Sequence, residues 1–164
     1  MKLLASRTAQ YPMVAEFGFS FNNWVLDSVS NAAVTLGSTV ALATDPAQLG
    51  LSGPVANTVT FDCVPLPPGA VVVGGELIVD TAFVGPTAAT LSLGIAGTLT
   101  ELASAISLLT AARTALVLTT PEASSAGQNV RMTLAYTVAN ATAGHARVRL
   151  MYTVDGRAQE TQIM

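Results

Sequence analysis

Residues 129–154 read NVRMTLAYTVANATAGHARVRLMYTV, and their alternation decides the class of fold. Val130, Met132, Leu134, Tyr136 and Val138 share one parity, against Arg131, Thr133 and Thr137 on the other. In the second half, Val148, Leu150, Tyr152 and Val154 oppose Arg147, Arg149 and Thr153. Successive side chains of a strand point to opposite faces, so a period of two puts one face in a core and the other toward water. Antiparallel strands buried on one side carry that pattern. The connector NATAGH is short and holds Gly144, which predicts a hairpin between the two strands.

The same period recurs toward the N-terminus. Phe17, Phe19 and Phe21 share a face, and Val59, Phe61 and Cys63 alternate with Thr58, Thr60 and Asp62. Leu77, Val79 and Phe83 oppose Glu76, Ile78, Asp80 and Ala82. Weaker strand patterns cover residues 24–29, 33–36, 39–43, 89–95 and 115–119. Turn residues fill the spacers: Asp45 with Pro46, Gly53 with Pro54, residues 65–69, Gly85 with Pro86, and residues 121–127. Some eight strands in one domain must pack as two layers or close on themselves, which gives an all-β antiparallel sandwich or barrel. The prolines and Gly69 in residues 65–69 predict a hard corner between two strands, and Gly74-Gly75 predict a bulge or kink. One segment dissents. Leu99, Leu102, Ile106 and Leu109 recur at helical spacing, with Thr98 and Glu101 placed as a capping box, so a short helix is expected near residues 99–109.

The chain has 164 residues, enough for one domain with a substantial core, and no linker divides it. Residues 1–13 and 156–164 lack strong alternation and are expected to be arm-like ends on a single 1–164 domain. Charged residues make up 10% of the chain against a usual quarter or so, while 51% is apolar. Such a chain either covers itself with Thr, Ser, Ala, Asn and Gly or has much of its surface covered by neighbours; exposed apolar patches mark interaction surfaces, which favours the second. A net charge of −3 with one lysine, Lys2, argues against nucleic acid as a partner. No run of 18 apolar residues is present, and residues 3–5 are too short for a signal-peptide core, so no membrane partner is expected.

Candidates for chemistry are few. His145 is the only histidine, and a histidine-based metal centre needs two or three. Cys63 is the only cysteine and sits in an apolar strand, where a small hydrophobe fits better than a nucleophile. Asp62, Glu76 and Asp80 fall on the polar face of what read as neighbouring strands, where solvation or a partner explains them better than a carboxylate pair for glycoside hydrolysis. Trp24 follows Asn22-Asn23 and suits a core residue, an interface anchor or a sugar-stacking platform. No catalytic, cofactor-binding or metal-ligating residues are assigned, and no enzyme activity or cofactor is expected.

Residues 64–83, VPLPPGAVVVGGELIVDTAF, resemble a segment of small β-sheet structural proteins of tailed bacteriophages: an apolar strand, a Leu-Pro-x-Gly-Ala-like turn, a Val-rich strand and a Thr-Ala-Phe exit followed by Gly. Leu91-Ser-Leu-Gly94, residues 112–118 and Ala141-Thr-Ala-Gly144 are similar too, and the likeness spans residues 58–157. The resemblance implies a capsid decoration, or cement, protein with a jelly-roll-type sandwich. It implies a noncatalytic protein on the virion's outer capsid surface that stabilises the major capsid protein lattice after synthesis in the host bacterial cytoplasm. Capsid symmetry makes a dimer or trimer of the chain the expected form. The alternative is a carbohydrate-binding or host-recognition module on a tail or fibre.

Overall fold

The structure, a computed structural model, describes residues 11–29, 31, 33–37, 58–95, 98–118, 123–124 and 127–154. Eleven strands are formed: β1 Met13–Ser20, β2 Trp24–Leu26, β3 Ala33–Thr35, β4 Thr58–Leu66, β5 Ala70–Val84, β6 Ala88–Ile95, β7 Thr98–Ser107, β8 Ala112–Ala115, β9 Ala123–Ser124, β10 Gln128–Thr137 and β11 Ala143–Val154. Among the described residues there is no helix. The strands make two main antiparallel sheets packed as a sandwich: β1-β11-β5-β8, with β9 beside β5, and β4-β10-β6-β7. We call these the charged sheet and the hydroxyl sheet, after their outer faces. β2 and β3 form a separate two-stranded ribbon. The candidate strand at residues 39–43 lies outside the described residues.

The topology follows from four pairings. β1 pairs with β11, β4 with β10, β5 with β8 and β6 with β7, all antiparallel. The chain is therefore one long antiparallel ribbon whose tip is β6–β7, rolled so that successive rungs lie in opposite sheets. This is the jelly-roll order. It corrects the hairpin expected in residues 129–154. β10 lies between β4 and β6, whereas β11 lies between β1 and β5 in the other sheet. The short connector crosses the sandwich, and its alternation on both sides reflects burial against a common core.

Inward residues of the two sheets fill that core. Val130, Met132 and Leu134 from β10 and Ala146, Val148 and Leu150 from β11 are fully buried. Phe17, Phe19, Phe83 and Tyr136 form an aromatic series through the core, with successive ring centroids 6.0–6.3 Å apart. Phe61 joins it 5.8 Å from Phe17. The Tyr136 hydroxyl has no hydrogen-bond partner among the described residues, and burial raises its pKa well above the usual phenol value.

The corner predicted at residues 65–69 is present. Ala70 N–H donates to Pro67 O at 3.1 Å and Gly69 has φ of 74°, the positive value a type II turn requires at its third position. It carries the chain from β4 in one sheet to β5 in the other. Gly74 and Gly75, by contrast, lie within the single long strand β5; the adjacent bulge leaves Val73 without a partner on β11.

Residues 99–109 form most of strand β7 and no helix. Leu91 and Leu93 on β6 face Ile106 and Ala103, and Ile95 faces Thr98, so β7 carries extra residues at two bulges. Extra residues stretch the inward repeat from two toward three or four, which is the spacing that imitates a helix. Ala105 takes a positive φ of 48° in the first bulge, its N–H donating to Ser92 Oγ at 3.0 Å. The second arches over Gly94, where any side chain would collide with the backbone of Thr98 and Leu99. Gly94→Ala is expected to lower stability by about 2–4 kcal/mol, as forced backbone displacement does. Tyr136→Phe, which removes an unpartnered buried hydroxyl, is expected to leave stability unchanged or raise it by about 1 kcal/mol. Chemical denaturation of the two variants beside the parent checks both.

Candidate functional site

The outer face of the charged sheet gathers most of the described charge. Its registers place residues in rows across the strands: Val14, Met151 and Gly74; Glu16, Arg149, Glu76 and Ala115; Gly18, Arg147, Ile78 and Arg113. Ile78 has outward parity yet is buried, in the row between the two arginines. Arg149 bridges Glu16 at 2.7 Å and Glu76 at 3.3 Å, while Arg113 makes a bidentate pair with Glu76 at 2.6–3.0 Å. Arg147 holds Asp80 at 2.8 and 2.9 Å and reaches Glu16 at 3.5 Å. His145 Nδ1 lies 3.0 Å from Asp80 Oδ2.

A bulge makes the last contacts. His145 pairs with Thr81 and Ala146 with Val79, so Asp80 is the extra residue of β5 and is re-aimed toward β11. The Arg149 hydrogen bond holds the Glu16 carboxyl below its ordinary range, and Arg147 does the same for Asp80. Arg147 is raised in turn, first by its hydrogen bonds to Asp80.

The hydroxyl sheet presents a different outer face. Thr58, Ala135 and Thr90 form one row, and Thr60, Thr133 and Ser92 the next. The Thr60 and Thr133 hydroxyls lie 3.1 Å apart. Asp62 and Arg131 form an ion pair at 2.8 Å beyond them, with Asn129 donating to the same carboxylate.

Asp62, Glu76 and Asp80 thus all point outward, but the structure does not bring them together. β4 and β5 belong to opposite sheets, so Asp62 faces one side of the sandwich and the other two acids face the opposite side. The expectation of neighbouring strands is corrected accordingly. Cys63 is the extra residue of a bulge between Val130 and Arg131, its thiol donating to Val130 O at 3.3 Å. Burial pushes the thiol up to about 12, which disfavours the nucleophilic thiolate. It is also in the sheet opposite His145. Among the described residues no three of His, Cys, Asp and Glu converge as metal ligands.

Trp24 is not a core residue: it is 73% exposed, with Leu26 on the same side of the β2–β3 ribbon. Beside the ribbon is a groove of about 450 Å³ lined by Phe17, Val25, Leu26, Phe61 and Asp62 among others. Asp27 was not singled out by the sequence and is 1% exposed. Its carboxylate accepts from Thr60 N–H at 2.8 Å, while Ser28 N–H donates to Thr60 O at 2.6 Å. These bonds close the free edge of β4, a place where unpaired backbone would otherwise invite another strand. Only the knowledge that β4 is an edge gives an Asp-Ser pair that meaning.

No protein-family model and no curated protein sequence matches the chain. Among solved structures, a chain described as "Cyanophage Pam1 capsid asymmetric unit" is similar, with a TM-score of 0.54 over 94% of this chain and 94% of that chain, at 19% sequence identity. Likeness at that identity concerns the fold, and it extends over nearly the whole length of both chains.

The ion pairs carry a pH dependence. Glu16 and Asp80 have folded pKa values below their ordinary 4.5 and 3.8, so the unfolded chain takes up their protons first as pH falls. The stability they contribute is present above those values and disappears as pH drops through the folded ones. Thermal melts from pH 7 to pH 2 at fixed ionic strength are expected to show that loss. In Asp80→Asn the acid-induced fall in Tm is expected to be smaller; superimposable profiles would contradict the assignment.

Proposed function

We propose that the chain is a noncatalytic structural protein of a tailed phage, bound to the outside of the head and stabilising the major capsid protein lattice. The observation that carries this reading is the fold likeness to a chain of a cyanophage capsid asymmetric unit, maintained over 94% of both chains. The jelly-roll order supports it, since that architecture serves viral capsid domains among others. So does the scarcity of charge, because a protein that spans neighbouring shell subunits works through wide, low-charge surfaces. Many equivalent contacts repeated over a lattice give avidity without a single tight site. The face of the hydroxyl sheet, with its rows of Thr, Ser and Ala, has that character. Met13 and Tyr152 are register partners, so the start of β1 and the end of β11 lie at the same end of the charged sheet. In this reading the expected arms are residues 156–164 and the segment before Met13, which itself belongs to β1, and they act on a neighbour.

The exposure of Trp24 favours a second reading, a host-recognition module of a tail or fibre that binds carbohydrate. Near-atomic imaging of purified particles, with and without this protein, separates the two. Ordered copies over the outer shell are expected. Copies confined to the tail, or particles lacking the protein, would overturn the head assignment. Retention on a column of host glycans, lost in Trp24→Ala, would favour the second reading.

A further inference from the structure

The charged sheet carries its charge in stripes. Across the order β1-β11-β5-β8 the outer face shows one acid (Glu16), two arginines (Arg147 and Arg149), two acids (Glu76 and Asp80) and one arginine (Arg113). The signs alternate strand by strand, and the series has an even number of members. Reversing it therefore inverts every sign. A two-fold rotation about an axis parallel to the strands turns the face onto itself in that way, laying β1 over β8 and β11 over β5 of a second copy. We propose that this face is the contact surface of an isologous dimer of the chain, with the two-fold axis along its strands.

Three observations support that occupant. The face contains three acids and three arginines, so it has no net attraction for a strongly charged partner but is complementary to itself. Each of these charges is already hydrogen-bonded within its own sheet, so covering the face leaves no unpaired buried ion, the costly case. Arg113 and Glu16, at the two edges, retain 67% and 40% side-chain exposure. The rotation lays their strands over one another with Arg113 one row from Glu16, and the Arg113 guanidinium already leans into the Glu16 row, where it binds Glu76. Strand spacings of about 4.8 Å and rises of about 3.4 Å per residue give the four-strand face an outline of roughly 450 Å² before side-chain relief. Two such faces together cover about 900 Å², below the roughly 1,200–2,000 Å² of a standard interface, which suits a weak dimer held by its charge pattern.

Glu16 and Arg113 stand on the outermost strands of the path, with two strands between them, so within one chain they do not touch. Within one chain they are linked only through Arg149 and Glu76, so the coupling that reports a second copy is the one read in the dimer dissociation constant and not in the stability of the fold. Sedimentation equilibrium of the purified protein is expected to show a dimer that weakens with added salt. Glu16→Arg alone and Arg113→Glu alone are each expected to raise the dimer dissociation constant at least tenfold. The double reversal is expected to recover most of the loss, although each new side chain still faces a like charge in its own sheet. Should a single reversal fail to fold, Ala115→Trp supplies the test, since Ala115 is exposed and the added bulk blocks close approach of the faces. A monomer at all concentrations, a trimer, or a dimer indifferent to these changes would overturn the proposal. The result does not depend on whether the protein sits on a shell, which particle imaging decides separately.

Discussion

The exclusion of six aliphatic side chains from water, Val130, Met132 and Leu134 on β10 and Ala146, Val148 and Leu150 on β11, is the constraint on which the rest of the structure depends. These strands are central in opposite sheets, each flanked on both sides. Burying the inward side chains of one requires those of the other, at about 25 cal/mol per Å² of apolar surface removed from water. With inward parity fixed on both, every outward position is fixed as well. Arg131, Thr133, Arg147 and Arg149 have no other place to go. The outer chemistry of the sandwich is thus a consequence of how its core is filled.

That dependence explains which features could be read from the sequence. Period-two alternation marked β1, β4, β10 and β11 because each buries one face, and the proline corner at residues 65–69 was visible because its turn chemistry is local. Pairing was not visible. Alternation says that a strand has a buried face but not which sheet supplies the facing layer, so β10 and β11 read as a hairpin although they belong to different sheets. β7 misled for a related reason. Its two bulges insert residues into the repeat, and a bulged strand shares its spacing with a helix until the strand it bends around is known. The acids Asp62, Glu76 and Asp80 were recognisable as outward-facing. Their partners were not, since Asp80 meets Arg147 and His145 only through a bulge that shifts the register by one residue.

The low charge content now has a structural explanation with two parts. On the charged sheet, arginines and carboxylates are arranged so that one guanidinium serves two acids, as Arg149 does for Glu16 and Glu76. Few charged residues then suffice, and Ile78, which has outward parity, is buried in the row between Arg147 and Arg113. On the hydroxyl sheet charge is sparser, with one ion pair between Asp62 and Arg131, and the hydroxyls of Thr60 and Thr133 pair across strands. Neither face is an ordinary solvated surface of scattered, unpaired lysines and glutamates. Surface ion pairs of this exposure contribute little to stability on their own. Their regular alternation across four strands is therefore better explained by what the face meets than by what holds the sheet together.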